Sequence, residues 1–192
     1  MQSLLLCLLT LISWTTVAQR VRLETDAGAI VLELYADKAP GTVANFLRYV
    51  DEKRYDGSRF YRVVRLDNQA SSPVKIEVIQ GGLQNDTTHQ LPPIPQETTQ
   101  KTGLKHLDGT LSLARSGPNT GTSEFFICIN DQPELDFGGK RNPDGQGFAA
   151  FGRVVEGRDV VRRIQRGQTG SEAAAAQLLS TPVIIRSARR IP

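Results

Sequence analysis

Cysteine and histidine are scarce in this chain, and their scarcity excludes two common devices of small proteins. The 192 residues contain two cysteines and two histidines. Cys7 lies near the start, so Cys128 stands alone in the body of the chain and cannot form an internal disulfide there. Cys128 lies within an apolar run and is expected to be a small core residue. His89 and His106 have no cysteine or carboxylate cluster at ligand spacing, so we expect no metal site.

The chain also lacks a large excess of charged residues of one sign. The chain has 23 lysines and arginines against 20 aspartates and glutamates, a formal net charge of +3. The basic residues are dispersed, whereas a nucleic-acid surface needs a concentrated basic stripe with aromatic residues between the charges. We therefore expect no nucleic-acid partner. With 39% hydrophobic and 22% charged residues, the composition is that of one ordinary globular domain.

No charged residue precedes Arg20, and the segment before it is different from the rest. Residues 4–12 are nearly all apolar, and small residues follow up to Ala18. This pattern resembles a secretory signal peptide over residues 1–18, cleaved after Ala18, and predicts a periplasmic or secreted domain over residues 19–192. The run is shorter than the roughly 20 apolar residues of a transmembrane helix, so no membrane span is expected after cleavage. A buried N-terminal strand and an uncleaved anchor remain open as alternatives.

Hydrophobic periodicity predicts a mostly-β domain with two main helices. Alternation of apolar and polar residues indicates a hairpin over 21–25 and 30–34, and further strands over 59–65, 75–80, 109–114, 125–129, 149–155 and 182–188. Helical spacing predicts a helix that begins at Pro40, a second over 157–166 and a short third over 171–179 capped by Ser171. Residues 83–108 and 136–147 are predicted to be ordered loops. About eight strands with two main helices suggest a closed antiparallel barrel, which leaves no exposed edge, but periodicity alone supports only a mostly-β α+β domain.

Three segments carry the residues that suggest a function. They are Phe60–Val64, Val78–Gly82 and the longer stretch from Leu113 to Ile129. They supply an arginine on a strand, a glutamine before two glycines and a pair of phenylalanines. An apolar slot with a few fixed polar groups is the general form of a site for a small ligand or a peptide.

These segments, in this order, resemble the cyclophilin family of peptidyl-prolyl cis-trans isomerases over roughly residues 21–188. The resemblance implies a closed eight-stranded antiparallel β-barrel capped by two α-helices. It also implies an enzyme that accelerates rotation about X-Pro bonds in folding proteins, with proline-containing polypeptides as substrates and no cofactor. A monomer is expected. A non-catalytic peptide-binding module or chaperone that uses the same groove remains the alternative.

The resemblance assigns a role to individual residues. Arg62 matches the arginine that donates to the prolyl nitrogen, and Gln80 matches the glutamine that orients it. Phe126 matches the floor of the proline pocket and Leu135 its wall. The other predicted substrate-binding positions are Ala114 and Arg115, on the strand that pairs with the peptide, together with Val78, Glu124 and Phe148.

The chain also departs from the family pattern. Glu77 and Val78 replace a phenylalanine and a methionine, Phe148 aligns with a histidine, and Leu66–Lys75 replaces a shorter connection. Glu124 replaces a second glutamine.

Two expectations concern the surroundings of Gln80. Glu124 either pairs with Arg62, in which case Glu124→Gln would free the donor and raise kcat/KM, or faces solvent. Gly81 and Gly82 are expected to be glycines because the backbone there has a positive φ, rather than because they contact a ligand.

Overall fold

The computed structural model describes residues 19–84 and 86–192. The predicted signal peptide, residues 1–18, lies outside the described residues. Within them, no helix is long and apolar enough to cross a membrane.

Eight strands form a closed antiparallel barrel, as predicted. In chain order they are β1 Gln19–Thr25, β2 Gly28–Leu34, β3 Arg59–Val64, β4 Val78–Gly82, β5 Thr110–Leu113, β6 Phe125–Cys128, β7 Ala149–Glu156 and β8 Leu178–Ile191. Around the barrel the order is β1-β2-β7-β5-β6-β4-β3-β8, and β8 pairs with β1 to close it. Closure satisfies the backbone of every strand and removes the edges that would otherwise invite association.

The two main helices lie where periodicity predicted them. The first, α1, spans Pro40–Asp51 with the proline in its first turn, and buries Val43, Phe46, Leu47 and Val50. The other, α3, spans Arg158–Gln165. A further single-turn helix, α2 at Thr99–Thr102, was not predicted, because four residues are too few for a periodic signal.

The predicted third helix over 171–179 is wrong. Only Ala173–Ala175 form a 3₁₀ turn, which Glu172 rather than Ser171 precedes, and no side chain caps it. Leu178 already belongs to β8, which pairs with both β1 and β3. β8 therefore takes the last two residues of the predicted helix, Leu178 and Leu179, and the alanines before it form only a single 3₁₀ turn.

Apolar residues fall into two clusters, one on each side of the barrel wall. The larger cluster fills the barrel, where Phe46 of α1 meets Phe125 edge-on at 5.6 Å and Phe151 at 5.3 Å. The smaller cluster lies outside the wall and consists of Val64, Ile76, Val78, Phe126, Cys128 and Leu135. Phe125 and Phe126 thus face opposite sides of one strand, and Cys128 is buried as predicted.

Candidate active site

A cavity of about 240 Å³ opens on the outer side of the barrel, above the smaller cluster. Its apolar lining consists of Ile76, Val78, Ala114, Phe126, Leu135 and Phe148. Its polar lining consists of Arg62, Gln80, Arg115, Arg141 and Asn142. The structure therefore brings together every predicted site residue except Glu124.

Phe126 and Leu135 give the cavity a firm apolar base. Leu135 is fully buried, and Phe126 is 4% exposed. The Phe148 ring meets the Phe126 ring edge-on at a centroid distance of 5.1 Å. A phenylalanine held in this way presents a fixed apolar surface.

A β-bulge turns Arg62 toward this cavity. Phe60 pairs with Gly81 and Arg62 pairs with Gln80, so Tyr61 is the extra residue of the strand. Phe60 and Val63 both lie in the barrel interior, while Arg62 lines the outer cavity. In a regular strand Phe60 and Arg62 would share a face, and the arginine would point into the core.

Two amide oxygens hold the Arg62 guanidinium. Its Nη1 donates to Gln80 Oε1 at 2.7 Å, while Nε and Nη2 donate to Gln177 Oε1 at 3.0 and 2.6 Å. A guanidinium has five N–H groups, so two of them remain for a ligand. Burial lowers the pKa of Arg62, but an arginine stays protonated at neutral pH.

Gln177 is a site residue that sequence reasoning missed. It lies 115 residues from Arg62 along the chain. Its side chain also donates from Nε2 to the backbone oxygen of Asn68 at 3.2 Å, which fixes the amide. A lone glutamine after four alanines carries no motif, so nothing in the sequence distinguishes it.

Glu124 does neither of the two things expected of it. Its Oε2 accepts a hydrogen bond from the Tyr61 hydroxyl at 2.6 Å, and its Oε1 accepts from the Gln84 backbone N–H at 2.8 Å. The Tyr61 oxygen in turn accepts from Gln80 Nε2 at 2.8 Å. Glu124 therefore reaches Arg62 only through Tyr61 and Gln80, and it neither pairs with the guanidinium nor faces solvent.

The two glycines after Gln80 have different reasons to be glycine. Gly82 has φ +143°, and a Cβ there would lie 2.6 Å from Glu124 Oε1. For Gly81 the expectation of positive φ was wrong. A Cβ at Gly81 would instead lie 2.9 Å from the Phe60 ring, so packing excludes a side chain.

Arg115 fixes the far wall of the cavity. Its guanidinium, in a side chain only 4% exposed, forms a bidentate pair with Asp144 at 2.7 and 2.9 Å and donates to the Gly147 backbone oxygen. It also lies 5.2 Å from the centroid of the Phe148 ring. Arg115 holds the pKa of Asp144 down at about 2, so this pair stays ionised across any ordinary assay range.

Behind Phe126 lies a buried polar group that the sequence did not reveal. The His106 ring stacks on Phe126 at a centroid distance of 5.9 Å. Its Nδ1 lies 2.8 Å from Asp136 Oδ1 and its Nε2 lies 2.9 Å from Ser112 Oγ. His106 thus has a carboxylate partner, Asp136, which lies 30 positions away in the sequence and therefore gave no local signal.

A larger concavity of about 460 Å³ beside α1 is less suited to chemistry. Its charged side chains are already paired, Arg190 with Asp51 and Arg48 with Glu52. Gln19 Oε1 is buried there without a hydrogen-bond partner among the described residues, but an amide oxygen is an uncharged acceptor and cannot donate to a ligand as Arg62 can.

The barrel and the slot on its outer wall define a class of protein, and comparison with known proteins agrees. Residues 20–190 match the family described as cyclophilin type peptidyl-prolyl cis-trans isomerase/CLD. The chain is 39% identical to the peptidyl-prolyl cis-trans isomerase cyp18 of Streptomyces antibioticus, over 88% of this chain and 96% of that protein. It is 35% identical to peptidyl-prolyl cis-trans isomerase A of Dickeya dadantii, over 92% and 86%.

A solved structure shows the same fold. A cyclophilin type peptidyl-prolyl cis-trans isomerase from Cryptosporidium parvum superimposes with a TM-score of 0.72 at 22% identity, over 92% of this chain and 99% of that chain. The family match over residues 20–190 and the identity to the two relatives show that the chain belongs to the family of cyclophilin-type peptidyl-prolyl cis-trans isomerases, the family that its motifs predicted.

Proposed function

We propose that the cavity accelerates rotation about X-Pro bonds, with Arg62 as the donor to the prolyl nitrogen. Amide resonance sets a barrier of about 18–20 kcal/mol, and uncatalysed rotation takes about 10–100 s. Millisecond turnover requires the removal of roughly 6 kcal/mol. A hydrogen bond to the imide nitrogen competes with resonance and stabilises the twisted transition state more than the planar ground state.

The observation that carries this proposal is the way Arg62 is held. Gln80 and Gln177 fix the guanidinium from two sides and leave two N–H groups beside the apolar base. Phe126 and Leu135 would hold the proline ring while the acyl side rotates. The donor is preorganised, so little reorganisation is needed at the moment of rotation.

The remaining cavity residues would position the peptide. Ala114 and Arg115 follow β5 and would place the peptide backbone, while Val78 and Phe148 would bound the proline pocket. Glu124 has no direct role in this proposal, because its carboxylate is taken by Tyr61 and Gln84.

Arg62→Ala tests the proposal. Loss of one directed donor typically costs about 2.7–4 kcal/mol, so kcat/KM should fall about a hundredfold to a thousandfold. The measurement is NMR exchange on a capped X-Pro peptide, with circular dichroism to verify folding. Arg59→Ala is the matched control, since Arg59 lies on the same strand, is exposed and does not line the cavity. Full activity in a folded Arg62→Ala protein would show that Arg62 is not the donor, whereas a folded wild-type protein without activity would favour the alternative, a non-catalytic peptide-binding module.

We also propose that the protein is exported and acts as a monomer. The apolar run at 4–12 and the small residues before Gln19 support export. The eight strands close into one barrel, which leaves no free strand edge among the described residues for pairing with a second chain and so supports a monomer. Mass analysis of the exported protein should find Gln19 at the N terminus, and sedimentation should give the mass of one chain. An exported protein that begins at Met1 would contradict cleavage, and a stable dimer would contradict the monomer.

A further inference from the structure

The cavity carries more positive charge than one donor requires. Three arginines line it, Arg62, Arg115 and Arg141, and no carboxylate side chain does. Among the residues that the structure describes, Arg115 alone of the three is neutralised, by the bidentate pair with Asp144. Two guanidinium charges are therefore left without a counterion at one small cavity.

Neutral groups hold both of these arginines. Arg62 donates to the amide oxygens of Gln80 and Gln177. Arg141 donates from Nη1 to Gln69 Oε1, Ser72 Oγ and the Val74 backbone oxygen. Among the described residues, Nε and Nη2 of Arg141 have no hydrogen-bond partner. One edge of this guanidinium is thus available to a ligand.

The position of Arg141 is fixed rather than left to a mobile side chain. Gln69, one of its acceptors, is 3% exposed and bonds to the backbone of Arg65 and Ile76 from both ends of its amide. Gln69 belongs to Leu66–Lys75, the segment in which this chain departs from the family pattern. The same segment that lengthens the connection therefore anchors the additional charge at the cavity.

The uncompensated positive charges of Arg62 and Arg141 repel each other. Burial lowers the pKa of Arg141, and the charge of Arg62 lowers it further. An anion in the cavity would relieve this repulsion. The free edge of a guanidinium matches a carboxylate, which can accept two parallel hydrogen bonds from it.

We propose that Arg141 is a specificity-determining residue that selects peptides with an aspartate or glutamate next to the isomerising proline. This inference rests on the proposed function of the cavity, because it names the substrate class of that same site. The preference would depend on attraction between the substrate carboxylate and Arg141, so it should weaken as the salt concentration rises and screens this attraction.

The first experiment compares capped peptides that differ only in glutamate or glutamine, placed immediately before proline in one pair and immediately after it in another. NMR exchange gives kcat/KM, and a shift titration of the same samples gives Kd. In wild type, at one or both positions, the glutamate peptide should be favoured about fivefold at low salt, with the preference falling toward one as ionic strength rises. Equal values in both pairs, or a preference for glutamine, would overturn the inference.

The design separates this inference from the proposed function. If neither peptide is isomerised, the proposed function fails, and the Kd ratio still decides whether the cavity selects a carboxylate. If the glutamine peptides are isomerised and the ratio is one, the proposed function stands and the inference fails.

Variants assign the preference to Arg141. Arg141→Gln should bring the glutamate-to-glutamine ratio to about one, and Arg141→Lys should keep part of it because the charge remains without the planar fork. Arg186→Gln is the matched control: Arg186 is exposed, pairs with Asp26 and lies outside the cavity, so the ratio should not change. If Arg141→Gln lowers the rates of both peptides in parallel and the ratio persists, Arg141 only anchors Leu66–Lys75 and the proposal is wrong.

Discussion

At the scale of single residues, the site depends on neutral acceptors for a charged donor. A carboxylate partner would hold Arg62 more strongly but would also compete with the substrate for its hydrogens. Amide oxygens orient the guanidinium and leave its charge uncompensated. Gln80 supplies one of them from the neighbouring strand, and Gln177 supplies the other from the connection before β8.

Gln177 is therefore expected to be a positioning residue. Gln177→Leu removes the acceptor of two Arg62 N–H groups, and kcat should fall about tenfold while KM changes little, since hydrogen bonds to charged groups contribute about 1.5–3 kcal/mol. Gln177→Glu keeps acceptor oxygens and should recover part of the rate. Gln168→Leu is the control, because Gln168 is exposed in the same connection. An unchanged kcat in Gln177→Leu would show that Gln80 alone orients Arg62.

At the scale of secondary structure, side-chain hydrogen bonds connect neighbouring strands at the end of the barrel near the site. The bulge at Tyr61 places two consecutive side chains of β3 on the outer face. One of them, Arg62, bonds to Gln80 of β4, and the other, Tyr61, bonds to Glu124, the residue before β6. Glu124 thus supports Gln80 through a tyrosine, rather than restraining Arg62 directly.

This arrangement reverses the effect expected for Glu124→Gln. Burial raises the pKa of Glu124, although hydrogen bonds from Tyr61 and Gln84 oppose the shift. A glutamine has one acceptor oxygen and cannot serve both Tyr61 and Gln84, so kcat/KM should fall about twofold to fivefold. In wild type, kcat/KM should also fall as pH drops through the raised pKa, because the protonated carboxyl no longer accepts from Tyr61 in the same way.

The measurement is the pH profile of kcat/KM for wild type, Glu124→Gln and Glu172→Gln. Glu172→Gln is the control, because Glu172 is exposed and lies outside the cavity. The acid-side decrease should be absent from Glu124→Gln and present in Glu172→Gln. A Glu124→Gln protein faster than wild type would mean that the carboxylate does restrain Arg62.

At the scale of the whole molecule, the barrel wall separates the apolar cluster inside it from the outer cluster that supports the site. His106, Ser112 and Asp136 lie behind that outer cluster and link β5 to the loop after the Pro133–Leu135 turn. Burial lowers the pKa of His106 below its ordinary value of 6.5. Burial alone would raise the pKa of Asp136, but the hydrogen bonds from His106 outweigh it and the pKa is lowered.

Both shifts have the same consequence for stability. A histidine whose folded-state pKa is depressed binds its proton more readily when unfolded, so its contribution is complete above about pH 6.5 and is lost as pH falls. The aspartate adds a loss at lower pH with the same sign. The free energy of unfolding, measured by urea titration, should therefore decrease steadily as pH falls from about 7 to about 5.

His106→Asn should flatten that decrease, and His89→Asn should not, because His89 is exposed. The comparison uses the slope of unfolding free energy against pH rather than its absolute value, so a generally less stable variant remains informative. Equal slopes in wild type and His106→Asn would exclude His106 as the source.

Alternating and helical patterns alone were enough to predict most of the strands and the two main helices, whereas the closed barrel was predicted from the cyclophilin resemblance. The hairpin at 21–34, α1 and α3 bury the faces that their periodicity indicates, because exclusion of apolar side chains from water acts locally on each element. The motifs around Arg62, Gln80 and Phe126 were also enough to predict the family and eight of the eleven residues that line the cavity.

The tertiary structure decided what depends on pairing between distant segments. The bulge at Tyr61 follows from the register of β3 against β4 and β8, which no local pattern encodes. Gln177 reaches Arg62, and Asp136 reaches His106, only because closure of the barrel and the loops on it bring those positions together. Side-chain identity therefore determined which chemistry was available, whereas strand register and loop closure determined which groups could act on one another.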